Sequence, residues 1–131
     1  MKYILEPITS KIFIEKLGET GQDRKWFIFV YHFRELQFYT IQYPINGYNE
    51  EIGLCILKSI DGKLDCSLLI YQSFKRKGYG REFIRQMQEE HQNIQFTVSF
   101  HNKESMAFFE SFDNMRIIDQ YNVVKTKTFG F

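Results

Sequence analysis

The chain has 131 residues, of which 44% are hydrophobic and 18% aromatic, with 14 Phe supplying most of the aromatic content. That length suffices for one domain over residues 1–131 with its own core, and the composition excludes a disordered chain. A net charge of +1 provides no general field for nucleic acid or a membrane surface, so any basic chemistry has to be local.

In chain order, residues 2–8 read as a short first strand. TSKIFIEKL, residues 9–17, reads as a helix with Thr9 or Ser10 at its N-cap and Gly18 past its end. GETGQDRK (18–25) is a loop, and the apolar run from Trp26 to Val30 is a strand. Phe38 to Tyr43 is the next strand, and Asn46-Gly47 is a hairpin turn signal. Glu51 to Ile60 and residues 64–71 form a further pair around Asp61-Gly62. A two-residue turn there sets 60 opposite 63, 58 opposite 65 and 55 opposite 68, which makes Lys58 the partner of Asp65.

The second half changes character. Tyr79, Phe83, Ile84 and Met87 form the apolar stripe of a helix over 79–91. IQFTVSF, 94–100, alternates as a strand, and Lys103 to Phe112 is a helix capped by Asn102. Two closing strands follow at 115–121 and 123–129. The expected fold is α/β, with a mixed, mostly antiparallel central sheet and flanking helices.

The sequence contains no run of about 18 apolar residues that would cross a membrane. Its first residues lack the apolar core and small-residue cleavage site of a secretory leader, so the chain reads as cytoplasmic. Cys55 and Cys66 read as buried free thiols, since Cys55 falls opposite Leu68 and no direct cross-strand bridge is implied. His32, His91 and His101 have no partner at metal-ligand spacing, so no metal is expected.

The informative stretch is SFKRKGYGREFIRQ, residues 73–86. A strand leads into a basic, glycine-rich turn and then into a helix. The opening N–H groups of a helix have no intrahelical partner and carry the positive end of its dipole. Gly78 and Gly80 bare the main chain to an approaching phosphate, while Lys75, Arg76, Lys77 and Arg81 add positive charge. Neither GxxxxGK[ST] nor GxGxxG is present, which argues against a P-loop or a dinucleotide fold.

LLIYQSFKRKGYGREFIRQM resembles the acyl-CoA-binding segment of the GCN5-related N-acetyltransferases, a strand followed by (Q/R)xxGxG/A and a helix. Lys75 stands in place of Gln or Arg, Phe74 fills the aromatic position before it, and Gln72 stands where many members have Pro. Asn102, Ser105, Phe108 and Phe109 partly match a second family pattern, NxxAxxFYxxxGF, with Asp113-Asn114 in place of Gly-Phe. The resemblance implies that the fourth and fifth strands splay into a slot for acetyl-CoA. The pantetheine arm would pair with Leu68, Leu69 and Ile70. The pyrophosphate would rest on the amides from Lys75 to Arg81, Tyr79 among them. Asn102 would face the arm, with Phe108 packed near it. A substrate amine, from a small molecule or a protein, would attack the thioester directly in a ternary complex. Many relatives form dimers, and the sequence leaves a homodimer open.

Two departures concern catalysis. Phe109 occupies the position of the family's proton-donating Tyr, and Tyr71 or Tyr121 are the candidates to replace it. The strand-four Glu that serves as base in the histone-acetylating branch falls at Leu64, with Asp65 next to it but on the other face. Glu50, Glu51 and His32 lack positional support. The main alternative is therefore a catalytically weak acyl-CoA-binding sensor of the same fold. A nucleic-acid module built on the same cations is disfavoured by the near-zero net charge.

Overall fold

The computed structural model describes residues 2–21, 36–60, 62–99, 102–121 and 126–131. The chain forms β1 (Ile4–Ile8), α1 (Ser10–Glu19), β2 (Gln37–Ile45), β3 (Tyr48–Ile60) and β4 (Lys63–Ile70). After a 3-10 turn at Gln72–Phe74 come α2 (Tyr79–Glu90), β5 (Ile94–Ser99), α3 (Lys103–Glu110), β6 (Arg116–Tyr121) and β7 (Thr126–Gly130). The expected strand at 26–30 lies outside the described residues.

Turn chemistry sets the first half of the sheet. Asn46 and Gly47 take φ of 52° and 82°, the pair of left-handed residues that matches a two-residue turn to the twist of its strands. The second hairpin has the register that its turn dictates, with Ile60 opposite Lys63, Lys58 opposite Asp65 and Cys55 opposite Leu68. The seven strands run in the order β1-β2-β3-β4-β5-β7-β6, and every neighbouring pair is antiparallel except β4 with β5.

Two features depart from the sequence reading. Helix α1 runs through Gly18 to Glu19, Thr20 caps it, and Gly21 at φ 72° takes the left-handed position expected of Gly18. The β2–β3 register shifts between Ile41 and Gln42, where Ile41 faces Gly53 and Gln42 faces Glu51, so Ile52 is the extra residue of a bulge. A Cβ on Gly53 would lie 2.2 Å from the Leu69 carbonyl oxygen, so only glycine lets β3 approach β4 here.

Alternation along β4 divides its side chains between two faces. Cys66, with Leu64, Leu68 and Ile70 against it, joins the core beneath α2 and α3 that includes Phe83, Ile84, Phe96 and Phe129. Leu69 faces the other way, with Leu54, Ile56 and the α1 residues Phe13 and Leu17. Burying a side chain of this size stabilises the fold by roughly 1.5–3 kcal/mol. The thiols of Cys55 and Cys66 are both buried and unbonded and meet diagonally at 3.5 Å. Burial, followed by the Cys55 contact, pushes the Cys66 thiol up, which keeps it protonated and unreactive.

Candidate functional site

The β4–β5 ladder is short. It consists of Leu64 opposite Ile94, Asp65 opposite Gln95 and Cys66 opposite Phe96. Beyond it β4 continues to Ile70 on β3, while β5 continues to Ser99 on β7, and the two strands part. The direction of the free main-chain groups follows from two hydrogen bonds. Leu64 N–H donates toward β5, to the Asn93 carbonyl at 3.2 Å, and Tyr71 N–H donates toward β3, to the Ile52 carbonyl at 2.8 Å. The β3–β4 register is unbroken from residue 63 to 70. Even-numbered residues of β4 therefore turn their N–H and C=O groups to the β5 side. Leu68 and Ile70 present theirs to the gap, whereas those of Leu69 belong to the β3 ladder.

A cleft of about 420 Å³ opens at this gap. Leu68, Leu69 and Ile70 form its floor, and Lys75, Arg76, Gly78, Gly80 and Arg81 form one wall. Asn102, Ser105, Phe108 and Phe109 line it from α3. Among the residues expected at the site, Lys77 and Tyr79 are not part of the lining. Tyr79 instead packs on Tyr43 and Phe74, with ring centroids at 5.4 and 6.0 Å. Its carbonyl accepts a 2.5 Å hydrogen bond from the Tyr3 hydroxyl, which ties the start of α2 to the lead-in of β1. Burial, followed by Tyr43 and Glu82, pushes the Tyr3 hydroxyl pKa up and keeps that donor protonated.

The turn reaches its shape through two left-handed residues, Arg76 at φ 61° and Gly78 at φ 84°. For a non-glycine residue such as Arg76 this conformation costs roughly 1–2 kcal/mol. Gly78 is the N-cap of α2 and no side chain caps that helix. The other two described α-helices are capped, α1 by Thr9 Oγ1 accepting from Ile12 N–H at 3.2 Å and α3 by Asn102 Oδ1 accepting from Ser105 N–H at 3.1 Å. The opening amides of α2, at Tyr79, Gly80 and Arg81, thus have no side-chain cap among the described residues, and Gly80 and Arg81 line the cleft. The two glycines serve different ends. A Cβ on Gly78 would meet open space, so its φ requires glycine, whereas a Cβ on Gly80 would sit 3.3 Å from Phe108 Cζ. Gly80 lets the turn pack against α3.

Two cations of the wall are held by α3. Lys75 Nζ lies 3.3 Å from Glu104 Oε2. The Arg81 guanidinium donates to Ser111 Oγ and rests over Phe112, 4.5 Å from the ring centroid. Glu104 and Ala107 also line the cleft, and the sequence reading had not singled them out. The one available signal was Glu104's place between Asn102 and Ser105.

Of the described residues weighed for catalysis, Glu50, Glu51, Asp65 and Tyr71 are not part of this lining. Phe109 is at the cleft but buried, stacked on Phe96 and Phe129 at 5.3 and 5.4 Å. Asp65 is 6% exposed, and its Oδ2 accepts from Gln95 Nε2 at 2.9 Å and from Thr97 Oγ1 at 2.6 Å. Lys58 is opposite in register, as expected. Burial pushes the Asp65 carboxyl up, against the Thr97 and Gln95 bonds and the Lys58 charge. Tyr71 donates to Glu51 Oε2 at 2.6 Å, and Glu51 pairs with Lys16 at 3.1 Å. Burial, then Glu51, pushes the Tyr71 hydroxyl up. The side chain of Tyr121, and all of His32, lie outside the described residues. Among those residues no group of His, Cys, Asp and Glu is placed to hold a metal, and no helix is long and apolar enough to cross a membrane.

The sequence matches no family model and no curated protein. Solved structures do resemble it. A domain from Methanocaldococcus jannaschii superimposes with a TM-score of 0.68 at 16% identity, over 98% of this chain and 96% of that one. A chimera of the spermidine N-acetyltransferase SpeG from Vibrio cholerae and hSSAT gives 0.58 at 15% identity, over 98% and 94%. The PaiA N-acetyltransferase of Thermoplasma acidophilum, in complex with coenzyme A, gives 0.56 at 13% identity, over 98% and 98%. The chain has the fold of the GCN5-related N-acetyltransferases.

Proposed function

We propose that the protein is an acyltransferase that takes an acetyl group from acetyl-CoA and delivers it to a primary amine of a small molecule or a protein. The observation that carries this reading is the uncapped start of α2 opening onto the gap between β4 and β5. The free amides of Tyr79, Gly80 and Arg81 suit a diphosphate, with Arg76 beside them. The free main-chain groups of Leu68 and Ile70 suit the amides of a pantetheine arm. The apolar side chains of Leu68 and Ile70 suit its methylenes, and Phe108 closes the far side.

In the reaction the amine nitrogen attacks the thioester carbonyl, the C–N bond forms and the C–S bond breaks. The nitrogen loses a proton and the thiolate gains one. Leu68 N–H, the first unpaired amide past the ladder, is the donor to steady the oxyanion. An alkylammonium of pKa about 10.4 has to lose its proton before attack. Leu64 supplies no base at the position where one branch of the fold carries Glu, and the Asp65 carboxyl is engaged on the opposite face. No Tyr is among the described residues that line the cleft, and a thiol of pKa about 8.5 leaving without a protein acid would do so at a loss on the order of 10² in rate.

That cost is why a second reading stands. Phe109 is packed into the core between Phe96 and Phe129 and donates no proton, which favours a weak catalyst or an acyl-CoA sensor. Calorimetric titration with coenzyme A, followed by thiol release from acetyl-CoA with a panel of amines, tests both readings. Saturable binding with amine-dependent thiol release is the expected result. Binding without turnover on any amine leaves the sensor reading, and no binding rejects both.

A further inference from the structure

Lys75 and Glu104 meet at the cleft, and both belong to its lining. Lys75 follows the 3-10 turn and Glu104 stands in the first turn of α3, so the pair joins the two walls. A carboxylate is an unexpected neighbour for an anion cradle. The dipole of α3 favours it at that helix start, but an exposed pair of this kind adds little to folding. The Glu104 side chain is 64% exposed and that of Lys75 20%. Arg81 is held differently, by a neutral hydroxyl and an aromatic ring. Among the described residues, Lys75 alone of the lining cations is held by a group that carries the charge of the phosphate it would meet.

We propose that Glu104 is an internal competitor for the phosphates of the acyl donor, a residue that sets donor affinity. It occupies Lys75 until a phosphate oxygen displaces it, and so tempers the preference of the cleft for phosphorylated over unphosphorylated pantetheine thioesters. This inference rests on the acyl-CoA reading of the cleft. Its consequence is specific: removing the Glu104 charge releases Lys75 and strengthens binding of phosphate-bearing ligands alone.

Calorimetry on the whole chain tests it, with coenzyme A and pantetheine as probes. At low salt Glu104→Gln should bind coenzyme A about 3- to 10-fold more tightly than the unaltered protein, and the gain should shrink as salt screens it. Pantetheine affinity should stay within about twofold, because that ligand carries no phosphate to compete with Glu104 for Lys75. In a Lys75→Met background the Glu104→Gln gain should fall below about twofold, since the effect runs through Lys75. Glu104→Ala should give the same sign, which keeps the test open if one substitution loosens α3. Unchanged or weaker coenzyme A binding in both Glu104 variants overturns the proposal. So does an equal gain for pantetheine, or a gain that survives Lys75→Met. Failure of the unaltered protein to bind coenzyme A instead refutes the acyl-CoA reading beneath it.

Discussion

Two helix starts face the same cleft, and they are built in opposite ways. Helix α3 opens on Asn102, whose side chain takes up the Ser105 amide. Helix α2 opens on Gly78, which has no side chain to offer, and its first amides stay free. Asn102 adds a cap bond to the fold, whereas Gly78 in a left-handed conformation adds none. The difference marks which element is capped by its own sequence and which is not. Proximity to the cleft does not distinguish them, because residues of both helices line it.

Exchanging the two designs should separate affinity from stability. The largest effect is expected from Gly78→Asp, which places a carboxylate at the free helix start. Coenzyme A affinity should fall about 10-fold or more by calorimetry, since a fixed anion stands where the diphosphate would rest. Affinity within twofold of the unaltered protein would break the comparison. Next comes Asn102→Ala, which should lower unfolding free energy by about 1 kcal/mol in urea titrations. Coenzyme A affinity should change less than about threefold, because the cap bond lies within the protein. A large affinity loss with unchanged stability would make Asn102 a ligand contact first and a cap second.

The same distinction runs along β4, where a smaller effect is expected. Leu68 and Ile70 have main-chain groups with no strand partner on the β5 side among the described residues, whereas Asp65 Oδ2 is engaged by Gln95 and Thr97. Burial holds its carboxyl above the ordinary 3.8. An acid with a raised native pKa binds its proton more tightly when folded. Its contribution therefore favours the native state most below the ordinary value and declines as pH rises through the raised one. Asp65→Asn removes that ionisation. Its urea midpoint should fall less than that of the unaltered protein between about pH 4 and about pH 7. Equal slopes would mean that Asp65 titrates alike in both states. Coenzyme A affinity should not move, because Asp65 lies outside the cleft.

What was legible in the sequence was what short-range chemistry decides. Asn46-Gly47 and Asp61-Gly62 announced their hairpins, and the second fixed the pairing of Lys58 with Asp65. Gly78 and Gly80 between a strand and a helix announced the cleft wall. What was hidden lies between segments far apart in the chain. Gly53 is needed because of the Leu69 carbonyl oxygen, 16 positions on, and nothing beside it in sequence reports that approach. Cys55 and Cys66 touch because strand twist and pleat bring diagonal neighbours together. Gln95 and Thr97 reach Asp65 from a parallel strand that arrives after a whole helix. Lys75 looked like mobile charge until α3 supplied Glu104.

The Tyr3 hydroxyl on the Tyr79 carbonyl spans 76 positions of sequence. The start of α2 is thereby coupled to the segment at residue 3. A purification tag or fusion partner that breaks this bond is expected to shift the opening peptide of α2. Fusions at the far end of the chain, beyond β7, are the better choice for such work.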